Sequence, residues 1–371
     1  MPLLRLSLFR FLRLPGPAAS TVLSMSSPVL VRAGIFLTLL PALCSLVLAQ
    51  DQSLSSLIRE GHAALDAGDF SRATRDFEQA RQIAPDDLEA NRGLLLSYLH
   101  EGRLDQAEDI GRATVQRWPN DPDLQHWLGL VYFKKSRNSD ALAALQRAET
   151  LAPSHSDIHF DVALVLLSES NDLDAAIELE KAIKLDPNAA LAHVLLGRAY
   201  QNTNRTVQAV EQFQTALRLD SEIPLGHYHL GFAYASLGRN IEAIAEYEKE
   251  LRHSPNNPTV LYQLGHRQLE AGDLNSAIEH LKKATQLDPA HADAFYDLGK
   301  ATLLQGDAEA AAVFLRRSIE LKPDDPSAHY QLARALDKAG KKEEARQEMN
   351  TFASLKRAQP GSGGMASGPV Q

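Results

Sequence analysis

The 371-residue chain has one cysteine, Cys44, and it lies in an apolar stretch near the N-terminus. A single thiol makes no intrachain disulfide, and removal of that stretch would leave no Cys-ligated metal and no Cys nucleophile. Aromatic residues are scarce, at 6 % with only two Trp. The 44 % apolar content is instead dominated by Ala and Leu, strong helix formers, while β-branched runs are short. Positive charge is also in deficit. The net charge is −9, and the first 50 residues carry four Arg and no acid, so the remainder sets 38 − 4 = 34 basic groups against 47 acidic ones, a balance of −13. Nucleic-acid binding needs a basic surface, which this balance argues against. The sequence also contains no Gly-rich phosphate loop, no HExxH and no nucleophile elbow, and predicts no strand on which an elbow could stand.

Residues 33–49, AGIFLTLLPALCSLVLA, form 17 uncharged residues preceded by Arg32 and ending in Val47-Leu48-Ala49. A basic flank, an apolar core and small residues at −3 and −1 are the pattern of a secretory signal, with cleavage expected after Ala49. Pro41 weakens a spanning reading and the length is marginal for one; retention as a membrane anchor is the alternative. Residues 1–49 are therefore read as an extension plus export signal, with Met25 as a candidate start. The tail 360–371, PGSGGMASGPVQ, is Gly/Ser-rich and expected to be disordered.

Between these ends the chain is periodic. Prolines stand at 85, 119, 153, 187, 255, 289 and 323, every step being 34 residues except one of 68, where Ser221 fills the slot. Nine repeats of 34 then start at 54, 88, 122, 156, 190, 224, 258, 292 and 326 and end at 359. Position 20 is Ala in all nine, from Ala73 to Ala345, and position 8 is Gly or Ala except at Leu95. Apolar residues recur at three- and four-residue steps, as in Leu261, Leu264 and Gly265, then Ala277, Ile278 and Leu281, marking two amphipathic helices per repeat. Small residues at positions 8 and 20 let the paired helices approach closely. Gly at position 15 ends the first helix in a left-handed turn, and the position-32 proline ends the second. At 136, 170 and 204 the Gly is replaced by Ser, Ser and Asn; Asn tolerates the left-handed turn, whereas the serines point to another turn geometry or a softer stack. Asp121-Pro122, Asn257-Pro258 and Asp325-Pro326 each pair an N-cap with Pro at the first helical position. The polar last helix, KKEEARQE onward, suits a solvated cap on the array.

The period, the Ala and Gly positions, the large residues at position 24 (Phe77, Leu145, Phe213, Tyr247, Leu281, Leu315) and the tyrosines at position 11 (Tyr98, Tyr132, Tyr200, Tyr234) resemble the tetratricopeptide repeat family. The resemblance implies an all-α, right-handed α-solenoid of tandem helix–turn–helix repeats over 54–359, acting as a non-catalytic protein-interaction scaffold without cofactors. Its first helices would line a concave groove.

In that groove, position 5 supplies Tyr228, Tyr262, Tyr296 and Tyr330 in repeats 6 to 9; position 9 supplies Phe232, His266, Lys300 and Arg334; and Lys338 follows at position 13. Aromatic faces with hydrogen-bonding tips beside Lys and Arg suit an extended peptide or its carboxylate. The family's carboxylate-clamp Asn is absent at position 9, and its asparagine ladder at position 6 is replaced by Gln263, Asp297 and Gln331. In repeats 2 to 4, Leu96, Leu99, Leu130, Phe133, Phe160, Leu164 and Leu167 fall at groove positions. They form either a second binding or self-association surface or apolar surface buried by neighbouring repeats. His159, His193, His227 and His329 share position 4. Equivalent positions in stacked repeats lie on the order of 10 Å apart, so this column does not converge on one zinc ion. Partners are therefore expected to be proteins or peptides in the cell envelope. A membrane-tethered assembly factor and, further off, an enzyme with its site on the array are the alternatives.

Overall fold

The computed structural model describes residues 40–358, with side chains from residue 53 on. Those residues form eighteen α-helices and no strand. The chain divides into two compact units, Met1–Ala192 and His193–Gln371. In the first, helices α1 (Leu40–Asp66) to α8 (Asp172–Leu185) run as four consecutive pairs: α1/α2 (Phe70–Ile83), α3 (Leu88–Glu101)/α4 (Leu104–Arg117), α5 (Pro122–Lys134)/α6 (Asn138–Leu151) and α7 (Ser156–Ser168)/α8. In the second, α9 (Ala190–Asn202) and α10 (Thr206–Leu219) are followed by α11 (Gly226–Ser236)/α12 (Asn240–His253), α13 (Pro258–Ala271)/α14 (Leu274–Leu287), α15 (Ala292–Gln305)/α16 (Ala308–Leu321) and α17 (Pro326–Lys338)/α18 (Lys342–Ala358). From α3 on, each pair falls within one 34-residue period, whereas α1 begins at Leu40, ahead of the repeat start at 54. Residues 1–39 and the tail from 359 lie outside the described residues, so the first part of the export-signal stretch does too. From Leu40 that stretch is continuous with α1, and the expected cleavage point after Ala49 falls inside this helix. Among the described residues no helix is long and apolar enough to cross a membrane.

The pairs close on the position-8 glycines. A methyl group added to Gly265 would come within 2.7 Å of Leu281 Cγ, and one on Gly197 within 2.6 Å of the Phe213 ring. Gly61 against Phe77, Gly129 against Leu145, Gly231 against Tyr247 and Gly299 against Leu315 repeat the contact at 2.6–2.9 Å. These separations are shorter than any real carbon–carbon contact, so the glycine is what admits the large position-24 side chain. Repeat 2 reverses the pair. Leu95 occupies position 8, and position 24 is Gly111, where an added methyl would sit 3.2 Å from Leu95 Cδ1 and 3.1 Å from Leu128 Cδ1. The exception at Leu95 is thus a size exchange across one helix–helix contact.

All first-helix turns take one geometry. The position-15 glycines have φ between 72° and 108°, and Ser136, Ser170 and Asn204 adopt φ of 60–61°. The expectation of a different turn at the two serines is corrected: neighbouring backbone bonds (Ser136 N–H to Phe133 O, Arg137 N–H to Tyr132 O) impose the left-handed turn on them as well. The Asp121, Asn257 and Asp325 caps form as expected, each side chain accepting from backbone N–H groups of its helix. In α18 only Ala345 is buried, as a terminal cap requires.

A second rule governs where each second helix begins. Where position 11 is Tyr, position 16 is Arg, and its guanidinium lies over the ring: Arg103 on Tyr98 at 4.3 Å, Arg137 on Tyr132 at 4.5 Å, Arg205 on Tyr200 at 4.0 Å and Arg239 on Tyr234 at 4.4 Å. These four helices have no side-chain N-cap. In repeats 1, 4, 7 and 8 position 11 is not Tyr, and Asp69, Asn171, Asp273 and Asp307 cap the helix instead. A cation–π contact and a helix cap are each worth about 1 kcal/mol, so the two devices are near-equivalent ways to fix the turn.

Two measurements check this packing. Ser170→Gly relieves a left-handed non-glycine residue and is expected to raise unfolding stability by about 1 kcal/mol in denaturant titration. Gly111→Leu is expected to destabilise by about 2 kcal/mol through overpacking, and the same change combined with Leu95→Ala is expected to recover much of that loss.

Candidate functional site

Helical spacing places Tyr330, Arg334 and Lys338 on one face of α17, Tyr296 and Lys300 on one face of α15, Tyr262 and His266 on α13, and Tyr228 and Phe232 on α11. Within this unit α13 packs on α15 and α15 on α17, so the faces of repeats 7 to 9 adjoin. The tyrosines are not equally free. Tyr228, Tyr262 and Tyr296 are half-buried, while Tyr330 is 39 % exposed. Each ring packs on neighbours of its own: Tyr262 on His291 with centroids 4.4 Å apart, Tyr330 on Phe352 at 5.3 Å, and Tyr228 on Tyr247 at 6.1 Å and Phe232 at 6.4 Å. Burial pushes the phenols of Tyr228, Tyr262 and Tyr296 above their ordinary range, which keeps them as neutral donors.

The basic residues separate into two kinds. His266 is engaged: its Nδ1 lies 2.6 Å from Asp297 Oδ2, tying α13 to buried Asp297 on α15. Arg334 donates to Gln331 Oε1 at 3.1 Å and stands over the Tyr330 ring at 5.9 Å. Lys300, half-buried, and Lys338, exposed, make no ion pair among the described residues. Phe232, on α11, is 38 % exposed next to Tyr228. The accessible part of the face is therefore Phe232, Lys300, Tyr330, Arg334 and Lys338, with Tyr228, Tyr262, Tyr296 and His266 forming much of its floor.

The other unit lacks the apolar surface that was one of the two readings of repeats 2 to 4. Leu96, Leu99, Leu130, Phe160 and Leu164 are buried, and Phe133 and Leu167 are half-buried, so neighbouring repeats cover them. The polar groups among them form a network. Arg92 pairs with Asp121, with Glu89 at 3.0 Å and with Asp123 at 3.6 Å, and fully buried His126 meets Asp161 at 2.7 Å and Asp157 at 3.9 Å. Burial opposes a charge on His126, but the bond to Asp161 and the charges of Asp161, Asp157 and Asp123 outweigh it and raise its pKa.

The position-4 column has a structural role that the sequence left open. Asn91 Nδ2 and Gln125 Nε2 donate to the carbonyls of Pro85 and Pro119 at 2.9 and 3.2 Å, and His159 and His329 place Nε2 3.1 Å from the carbonyls of Pro153 and Pro323. The other ring nitrogen, Nδ1, meets position 23 of the same repeat: Glu178 at 2.9 Å for His159, Gln212 at 2.7 Å for His193, and Glu246 and Glu348 at 2.6 Å for His227 and His329. The four histidines act in separate repeats, as their spacing requires.

Repeat 6 departs from the rest. Leu225, at φ 61°, stands at the N-cap of α11 and offers no capping side chain, and the helix is only 11 residues long. Buried Glu250, at a position held by Ala in five other repeats, reaches across from α12 and accepts from Tyr228 N–H at 3.1 Å. The cap is supplied from the partner helix.

Family comparison covers the same part of the chain. Tetratricopeptide repeat models match residues 58–122, 128–190, 194–258, 262–326 and 302–358. The chain belongs to the tetratricopeptide repeat family. A curated relative, "Photosystem I assembly protein Ycf3" of Prochlorococcus marinus, is 29 % identical over 94 residues, 24 % of this chain; the chain spans 54 % of that relative's length. Among solved structures, the C-terminal part of a TPR repeat-containing protein from Cytophaga hutchinsonii matches with TM-score 0.53 at 17 % identity, covering 63 % of this chain and 96 % of that one. YrrB, described as "a TPR protein with an unusual peptide-binding site", matches with TM-score 0.47 at 26 % identity over 50 % of this chain and 96 % of that one. Pseudomonas aeruginosa PilF matches with TM-score 0.49 at 21 % identity, covering 56 % and 94 %.

Two outcomes test the repeat-6 geometry. Glu250→Ala removes a buried helix cap and is expected to cost about 1–2 kcal/mol of stability, read as faster hydrogen exchange at the first amides of α11. His229, stacked on Phe213 at 5.5 Å, is held down to about 3 by burial and by Arg198. The unfolded ring takes its proton near the ordinary 6.5. The folded form therefore loses stability as pH falls below 6.5 and is unaffected above it. His229→Phe is expected to flatten that acid limb in urea titrations at stepped pH.

Proposed function

We propose that this protein is a non-catalytic scaffold that holds an extended, acidic or carboxylate-ended segment of a partner protein along the first helices of repeats 6 to 9. One observation carries the reading: Lys300 and Lys338 make no ion pair among the described residues, Lys300 sharing a face of α15 with Tyr296 and Lys338 a face of α17 with half-exposed Tyr330 and stacked Arg334. In a chain with net charge −9, many Lys and Arg groups lie beside a carboxylate, as Arg103, Lys135 and Lys181 do, and what sets Lys300 and Lys338 apart is their place on the tyrosine-bearing faces of α15 and α17. Unpaired cations beside aromatic faces keep their donors available to a carboxylate, and a half-exposed ring adds apolar contact at low entropic cost. Family membership supports the same reading, since stacked repeats present long surfaces for partners. We place the protein outside the cytoplasm on the strength of residues 33–49, with a retained N-terminal anchor as the alternative.

The test is co-purification with wild type against Lys300→Glu/Arg334→Glu/Lys338→Glu, all three being solvent-accessible positions that leave the aromatic floor intact. Loss of the captured partner by about tenfold or more is expected for reversal of three charge contacts; an unchanged set of partners with unchanged circular dichroism would contradict the groove. N-terminal sequencing of the mature chain checks the location, a start at Gln50 being the expected result.

A further inference from the structure

We propose that Glu149, His159 and Glu178 form a binding site for one divalent first-row transition ion, at the junction of repeats 3 and 4. The three side chains come from α6, α7 and α8, and one donor atom from each lies within 4.8 Å of the others. His159 Nδ1 is 2.9 Å from Glu178 Oε2 and 3.6 Å from Glu149 Oε1. Ligands held at about 2.0–2.1 Å from a tetrahedral zinc stand about 3.3 Å from one another, so these separations already match a coordination edge. One imidazole and two carboxylates are a donor set that zinc and its neighbours accept, with a position left for water.

The histidine's orientation supplies the second argument. His159 is buried, and its Nε2 faces the Pro153 carbonyl at 3.1 Å. A carbonyl only accepts, so Nε2 carries the hydrogen. Nδ1 then faces two carboxylates, so either a proton on Nδ1 or a cation held between the three groups completes the cluster, and the zinc titration separates the two. Fixing one ring nitrogen on a backbone carbonyl is also how metal-binding histidines are commonly oriented.

The site is specific to this junction. All four position-4 histidines meet a Glu or Gln at position 23, but a second carboxylate arrives from position 28 of the preceding repeat only for His159. The equivalent residues are Ile183 before His193, Leu217 before His227 and Ile319 before His329. The competing occupant is Lys181, whose Nζ bridges Glu149 Oε1 at 3.0 Å and Glu178 Oε1 at 2.9 Å. Its side chain is 44 % exposed, so it can swing to solvent at small cost, and the ammonium acts as a displaceable plug.

The experiment is zinc titration of the untagged protein by calorimetry, with stoichiometry checked by elemental analysis after dialysis. His159→Gln is the decisive variant because Gln125 already fills the same position in repeat 3 and donates to the equivalent proline carbonyl, so the fold is kept while the nitrogen ligand is lost. Wild type is expected to bind one zinc more than His159→Gln. Lys181→Met is expected to bind that zinc about tenfold tighter or more, as removal of a competing charge requires, and His329→Gln is expected to match wild type. Equal zinc stoichiometry in wild type and His159→Gln, or no gain in affinity on removing Lys181, would overturn the proposal in favour of a plain ion-pair cluster.

Discussion

A missing side chain sets the geometry of each helix pair. In six repeats the first helix presents Gly at position 8 to a Phe, Tyr or Leu at position 24 of the second, so closely that even one added carbon would collide. That contact fixes how near the two axes lie, and through it which side chains of the first helix are left for the outer surface. Repeat 2 shows that total volume across the contact is what matters, since Leu95 and Gly111 exchange sizes without losing it. The turns follow the same logic: the backbone bonds of a left-handed turn impose φ near 60° even on Ser136 and Ser170.

Most of the fold was legible in the sequence because it is written in single positions that recur: the alanines, the prolines, the glycines, the three Asx-Pro caps. What escaped is written in pairs. The link between Tyr at position 11 and Arg at position 16, the link between His at position 4 and Glu or Gln at position 23, and the Leu95–Gly111 exchange each appear only when deviations at two positions are compared. All three signals were present in the sequence. Others were not. That Glu250 caps α11 depends on the backbone turning left-handed at Leu225, and that Leu96, Leu130 and Phe160 are covered depends on how tightly neighbouring first helices close.

For the candidate site, the sequence pattern assigned each residue to a helix face and said less about accessibility. Periodicity placed Tyr228, Tyr262, Tyr296 and Tyr330 in one column, yet it could not tell that three are half-buried floor or that His266 is occupied by Asp297. That Lys300 and Lys338 make no ion pair among the described residues, while Arg334 lies over Tyr330, is a matter of side-chain placement that periodicity does not carry. A rival surface exists on the second helices, where Ile241 is 83 % exposed and Val207 and Val313 are also open. Isolated aliphatic side chains of this kind are ordinary on soluble proteins, and none is joined by a convergent set of polar groups.

Site-directed photocrosslinking separates these surfaces most directly. With a photoreactive phenylalanine analogue at Tyr330 in one protein and at Ile241 in another, the groove account predicts partner adducts from Tyr330 and none above background from Ile241. Adducts from Ile241 with a silent Tyr330 would contradict it and move the partner to the outer helices.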